Sequence, residues 1–191
     1  MQSDNSVIKI IFKDLNFTKA EIKIIESHFH KINVKKGTIL LNAGDLVDVQ
    51  YYILDGCLRT FHMDSQGKEH TIQFGIKDWW VSDFTALLDS DEAILTIEAI
   101  QDSTLYKISK QDMNYLYSKI PKIDSFFRLK LERSFAAFQK RILSYLSQSA
   151  AERYLNFIKT YPNIEKSVKN YHIASYLGMT TESLSRIRKE L

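Results

Sequence analysis

The 191-residue sequence is poor in the residues that would tie it to redox, metal or membrane chemistry. Its single cysteine, Cys57, can close no internal disulfide and cannot by itself hold an iron–sulfur cluster, so it reads as a small buried apolar residue. No apolar run reaches the roughly 18 residues needed to cross a bilayer. The opening Met1-Gln-Ser-Asp-Asn lacks the basic start and apolar block of a secretion signal, so a cytoplasmic protein without a membrane partner is expected. The five histidines give no metal-ligand spacing: His28 and His30 stand two apart, and on a helix their rings point to different faces. Neither a metal nor a cofactor is expected. An enzyme is not expected either, because the nearest carboxylate cluster, Asp83 with Asp89 and Asp91, has nothing to activate it.

What is present is the composition of a folded protein, 45% hydrophobic and 26% charged, in a chain long enough for one ordinary domain and a small second one. The net charge of +3 is unevenly spread. Residues 1–37, 38–118, 119–146 and 147–191 carry +3, −8, +5 and +3, so an acidic middle precedes a basic end. A basic end suits a polyanionic partner, although a charge run over 119–146 taken alone reads as a solvated helix face.

In chain order, Thr18 with Glu21 three residues later opens a short amphipathic helix carrying Ile22, Ile25 and Phe29. After Val34 the texture changes. Gly37, Gly44, Gly56, Gly67 and Gly75 separate β-rich runs, and Asp55-Gly56 and Asp64-Ser-Gln-Gly67 supply turn chemistry between strands, which predicts an antiparallel β domain. Ser109 caps a helix to about Ser118, and Pro121 suits the first turn of a much longer one reaching about Leu146. Along it Ile120, Phe127, Leu131, Ser134, Phe138 and Tyr145 recur at spacings of three, four or seven with Arg141 on the same stripe, which suits a parallel pair of helices from two protomers. Phe127, Leu131, Ser134 and Phe138 are the candidate dimer interface. Packing against the chain's own β domain is the other use for this helix, since Phe126, Leu129, Phe135, Ile142 and Leu143 lie off the seam. Ser149-Ala-Ala-Glu152 is a capping box, and the helix it opens should stop near Tyr161-Pro162.

The last stretch, Lys169 to Leu191, has the pattern of a helix-turn-helix. Ala174 is small enough for two helices to cross closely, Gly178 tolerates a positive φ at the turn, and Ile173, Leu177, Met179, Leu184 and Ile187 fall where the inner faces meet. Thr180 or Thr181 caps the second helix, with Glu182 in its first turn. Its outer face carries Thr181, Glu182, Ser185, Arg186 and Lys189, the mixture of donors and acceptors that base edges and phosphates require. With Thr180 these are the candidate contacts to double-stranded DNA; an ordinary helical hairpin is the plainer reading.

Gly37-Thr-Ile-Leu-Leu-Asn-Ala-Gly44, Tyr51-Tyr-Ile-Leu-Asp-Gly56 and Arg59-Thr-Phe61 resemble the opening of a cyclic-nucleotide-binding-type β-roll. Followed by a long helix and a helix-turn-helix, that order resembles the Crp/Fnr family of transcription regulators over roughly residues 15 to 191. The resemblance implies an α+β fold: a jelly-roll-like antiparallel β-roll sensor over 1–118, a dimerisation helix over 119–146, and a winged-helix-like DNA-binding domain over 147–191 with its wing short or absent. A shortened domain and a truncated chain both account for an end at Leu191. The resemblance also implies a homodimer on DNA, RNA polymerase as a partner and a small effector. Glu182-Ser-Leu-Ser-Arg186 is similar to the Glu-x-x-Ser-Arg motif of the fumarate–nitrate branch. Thr181 stands where cyclic-AMP receptors place an arginine.

The effector region departs from the cyclic-AMP receptors. Their Gly-Glu-Leu step and Arg-Ser pair correspond here to Ser82-Asp83-Phe84 and Ala93-Ile94, without the phosphate-neutralising arginine. Burying a phosphate without a cation costs several kcal/mol, so cyclic AMP should bind poorly. Phe74, Trp80, Ser82, Asp83, Phe84 and Ile94 are the candidate effector pocket; core filling is the alternative use for the aromatics. The rival functional reading is a small-ligand-binding regulatory module whose helix-turn-helix serves protein contact, against which Arg186 and its basic surroundings argue.

Overall fold

The computed structural model describes residues 6–89, 91–165 and 168–190. The opening Met1–Asn5, read above for a secretion signal, and Leu191 lie outside the described residues. A first turn of helix that the sequence pattern did not reveal, α1 (Val7–Ile10), is capped by Ser6, whose hydroxyl accepts from the Ile8 amide. Helix α2 (Lys19–His28) starts at the expected capping box, Thr18 and Glu21 bonding each other's backbone N–H.

Eight strands follow: β1 (His30–Val34), β2 (Ile39–Leu41), β3 (Val49–Asp55), β4 (Leu58–Met63), β5 (Glu69–Gly75), β6 (Trp80–Val81), β7 (Thr96–Ala99) and β8 (Ser103–Ser109). Helix α3 (Phe84–Asp89) interrupts them after β6. They form two four-stranded sheets in the orders β1-β8-β3-β6 and β2-β7-β4-β5, the antiparallel β-roll expected from the glycine-punctuated runs. Strand β3 explains its own lack of polar alternation. Tyr51 and Ile53 face a core with Leu58, Val81, Ile97 and Leu105, while Tyr52 faces a second core with Phe12, Ile25, Phe29 and Phe127, so both faces are covered.

Helices α4 (Lys110–Lys119), α5 (Pro121–Ser147), α6 (Ala150–Thr160), α7 (Asn170–Leu177) and α8 (Thr181–Glu190) complete the chain. Their caps match the sequence signals: Ser109 accepts from Asp112 N–H, Pro121 opens α5, and Ser149 with Glu152 forms a capping box. The chain divides into two compact units, residues 1–60 with 74–128, and 61–73 with 129–191. Helix α5 is continuous across the cut at Arg128. No described helix is long and apolar enough to cross a membrane.

One glycine carries an unusual share of the β-roll. Gly56, between β3 and β4, has φ +95°, and a Cβ there would stand 2.2 Å from Ser103 Oγ and 2.6 Å from the Asp102 carbonyl. Gly67 has φ +78° with nothing within 4 Å of that position. Gly56→Ala should therefore cost about 2–4 kcal/mol, combining backbone strain with overpacking, whereas Gly67→Ala should cost about 1–2 kcal/mol from the left-handed backbone alone. Paired thermal melts test this: equal losses for the two variants would refute the steric account.

Candidate nucleic-acid interface

The C-terminal helices form a small apolar core from residues spaced at helical periods. Helix α6 buries Tyr154 and Phe157, α7 buries His172, Ile173, Ala174 and Leu177, and α8 buries Leu184 and Ile187. Between α7 and α8, Gly178 takes the left-handed conformation at φ 63°, ψ 42°. Its N–H donates to the Ser175 carbonyl and that of Met179 donates to Ala174, which uses the carbonyls that the end of α7 would leave unmet. Of the two threonines expected at the cap of α8, Thr180 takes the role, its hydroxyl accepting from Ser183 N–H at 3.2 Å.

With Leu184 and Ile187 fixed inward, the other side of α8 is determined. Glu182, Ser185, Arg186 and Lys189 are all exposed at positions i, i+3, i+4 and i+7, and half-buried Thr181 lies beside them. The structure thus brings the six expected residues, Thr180 included, to one end and one face of a single helix. The Thr181 hydroxyl donates to Glu182 Oε1 at 3.1 Å. The carboxyl of Glu182 is held below its ordinary range by its own backbone N–H and then by the Thr180 and Thr181 hydroxyls. It is therefore an ionised, acceptor-only group at neutral pH, one helical turn from a guanidinium that only donates.

Arg188, which the sequence pattern did not single out, faces away from that stripe. Its guanidinium meets Glu165 at 3.1 Å, Tyr154 Oη at 3.2 Å and Asn170 Oδ1 at 2.6 Å, while Tyr154 Oη donates to Glu165 at 2.8 Å. This knot ties α8 to α6 and α7. Arg153 does similar work, donating to the carbonyls of Leu177 and Gln148 at 3.0 and 2.8 Å. The position of Arg188 directly after buried Ile187 was the available signal that it differs from Arg186.

The expected dimer residues separate. Phe127 belongs to the core of its own β-roll unit, its ring centroid 4.8 Å from Trp80 and 6.2 Å from Phe12, so it is removed from the candidate interface. The cause is the alternative weighed for this helix: its first turns pack on the chain's own β domain. Leu131, Ser134 and Phe138 are exposed, as are Leu129, Phe135, Ile142, Leu143 and Leu146.

The candidate effector pocket does not assemble. Phe74 is fully buried, Trp80 packs among Phe29, Tyr52 and Phe127, and Ser82 spends its hydroxyl on the Val49 carbonyl at 2.8 Å. Phe84 and Ile94 face solvent at 36% and 56% exposure. Asp83 is wholly buried and acts as a tie. One carboxylate oxygen accepts from Thr85 N–H, Thr85 Oγ1 and Ala86 N–H, and the other accepts from Ile94 and Leu95 N–H at 2.9 and 3.0 Å. Asp83 holds the Ile94 amide, but Phe74 and Trp80 lie in the interior, Ser82 is bonded to Val49, and the Phe84 and Ile94 side chains face solvent. Arg59, which could have replaced the missing arginine, is buried with Nη1 3.7 Å from Glu98. Burial also pushes the Cys57 thiol up to about 12, which leaves it protonated and unreactive. Among the described residues no cluster of metal-ligating side chains occurs.

The family described as the cyclic nucleotide-binding domain matches residues 31–119, from β1 to the end of α4. The Transcriptional activator protein Anr of Pseudomonas protegens is 22% identical over 165 residues, covering 81% of this chain and 67% of that protein. The Fumarate and nitrate reduction regulatory protein of Vibrio cholerae is 24% identical over 165 residues, covering 81% of this chain and 65% of its own length. The chain thus spans about two thirds of the length of these curated relatives. A crystal structure of a transcriptional regulator of the crp/fnr family from Eubacterium rectale superposes with a TM-score of 0.71 at 22% identity, covering 94% of this chain and 85% of that one. The likeness runs through the β-roll, the long helix and the closing helices in one order: residues 31–119 match the cyclic nucleotide-binding domain, and the whole described chain is similar in fold to regulators of the Crp/Fnr type.

Proposed function

We propose that the chain acts as a homodimeric, sequence-specific DNA-binding regulator of transcription in the cytoplasm, with α8 as its reading helix and RNA polymerase as its eventual partner. No catalytic step is assigned to it. The observation that carries the reading is the division of α8: Leu184 and Ile187 inside, and Glu182, Ser185, Arg186 and Lys189 in one exposed row. Glu182 can accept from a cytosine amino group, and Arg186 can grip guanine O6 and N7 in a bidentate pair. Lys189 is suited to phosphate. Thr181 offers a hydroxyl in place of a second guanine-reading arginine.

Selection of bound duplexes from a random pool should return a two-fold symmetric site with half-site centres about 34–36 Å apart, each holding a G·C pair flanked by A·T pairs. Arg186→Ala should cost about 1–3 kcal/mol and relax preference at the guanine. Lys189→Ala should weaken all sequences alike and lower the salt slope. An unchanged ranking of sites for Arg186→Ala would remove α8 as the reader.

Pairing of two copies is assigned to the exposed stretch of α5. In sedimentation, Leu131→Asp should yield a folded monomer, while Phe127→Ala should leave the dimer intact and lower the unfolding free energy by about 3–5 kcal/mol. A dimer that survives Leu131→Asp would place the interface elsewhere.

The sensor is assigned to an effector other than cyclic AMP, or to none. Ala93 and Ile94 bring no cation, Arg59 is spent on Glu98, and the Ile94 and Leu95 amides are spent on Asp83. Calorimetric titration with cyclic AMP should show no binding tighter than about 10 μM. A lower dissociation constant would mean that another cation reaches the phosphate.

A further inference from the structure

The outer part of the β4–β5 hairpin, residues 61–73, belongs to the same compact unit as α7 and α8. Strand β5 is the edge of its sheet, and an edge strand presents backbone groups that have no strand partner. Ser175 of α7 meets two of them with one hydroxyl. It accepts from Thr71 N–H at 2.8 Å and donates to the Glu69 carbonyl at 2.9 Å. Arg141 of α5 donates to the Ile72 carbonyl of the same strand. A hydroxyl bonded in both directions fixes the register of the hairpin on the helix that precedes the Gly178 turn.

The tip of the hairpin is ordered by its own acid. Asp64 accepts from the Gln66 and Lys68 amides at 2.9 and 3.0 Å, and its other oxygen lies 2.8 Å from His70 Nε2. The carboxylate is thereby engaged within the turn. The exposed Lys68 then shares a surface groove with His70, Ser175, Gly178, Met179 and Thr180. Thr180 caps the end of α8 that a reading helix inserts into the major groove, and the phosphates run along both edges of that groove, which is about 12 Å wide.

We propose that the β4–β5 hairpin is a second DNA contact, in which Lys68 meets the phosphate backbone beside the start of α8 and Ser175 positions it there. The proposal rests on the reading of α8 as the base-reading helix. Phosphate contacts of this kind fix register and orientation without reading sequence.

The test is a set of anisotropy titrations of the full chain on a selected site and on random duplex, across about 50–200 mM salt. Lys68→Ala should weaken both by about threefold, keep the ranking of sites, and reduce the slope of log K against log salt by about 0.9. In a Ser175→Ala background, with circular dichroism showing an intact fold, the Lys68→Ala effect should largely disappear, since the hairpin no longer holds the lysine in place. Unchanged affinity and slope for Lys68→Ala, with Arg186→Ala still relaxing specificity, would overturn the hairpin contact and leave α8 as the reader. Tighter binding by Lys68→Ala would also overturn it, by making the hairpin an obstruction. If Arg186→Ala were silent as well, the reading of α8 would fall and this proposal with it.

Discussion

The left-handed turn at Gly178 is the constraint on which the C-terminal unit depends. A side chain there would meet the Tyr145 ring at 3.0 Å and would hold a backbone conformation costing about 1–2 kcal/mol for an L-residue. With the turn in place, α7 and α8 cross so that Ile173, Leu177, Leu184 and Ile187 share one core. Burying each is worth about 1.5–3 kcal/mol. The outward row from Glu182 to Lys189 is a geometric consequence of that inward row, because a helix with two sides fixed by 3.6-residue periodicity has no freedom left for the remaining side chains. The knot around Arg188 then fixes the rotation of α8 about its own axis, using a cation that would otherwise face solvent.

The β-roll shows the opposite relation between fold and chemistry. Its sheets, turns and cores follow the architecture of the cyclic nucleotide-binding domain, while the segment between β6 and β7 is organised around a buried carboxylate. Asp83 takes five hydrogen bonds from residues 85, 86, 94 and 95, so an internal carboxylate engages the amides of this segment. On the proposed reading an entering phosphate would find these amides already engaged, and the buried guanidinium of Arg59 faces Glu98. Architecture and ligand are separable because the strands are held by apolar burial and backbone ladders, whereas the ligand depends on a handful of polar groups.

How legible these features were in the sequence follows from the range of the interactions that make them. The capping boxes at Thr18 and Ser149, the cap at Ser109, the proline start of α5 and the glycine turn of the helix pair are set by residues within four positions of one another, and all were readable. So was the outward face of α8, which needs only the helical period. Three features were not. The short α1 has too few residues to show a period, and it forms because Val7, Ile11 and Phe12 bury against distant helices. The place of Arg188 after Ile187 marks it as turned away from the reading row, but its partners Glu165 and Asn170 reach it only through the tertiary fold. The candidate pocket residues lay close in sequence, but a strand, a turn and a short helix send their side chains in different directions.

Helix α5 shows most clearly how one periodic pattern can serve two purposes. Ile120, Phe127, Leu131, Ser134 and Phe138 form one stripe in sequence, yet Ile120 is the C-cap of α4 rather than part of α5, and burial changes along the rest. Ile120, Ile123 and Phe127 are within the β-roll core, whereas Leu129, Leu131, Phe135, Phe138, Ile142, Leu143 and Leu146 stay exposed. A patch of seven large apolar side chains is more than a monomeric soluble surface ordinarily leaves uncovered, which is the physical reason to assign this stretch to contact with a second copy. The patch is also wider than the stripe. A two-residue seam through Leu131 and Phe138 would leave Phe135, Ile142 and Leu143 facing water, and at 67%, 52% and 61% exposure these are among the most open apolar residues of the helix. The proposed pairing therefore needs a cover broader than the opposing helix alone, and the basic Arg133 and Lys140 interleaved with these residues would border that cover, keeping their charges in water while their stems lie along it.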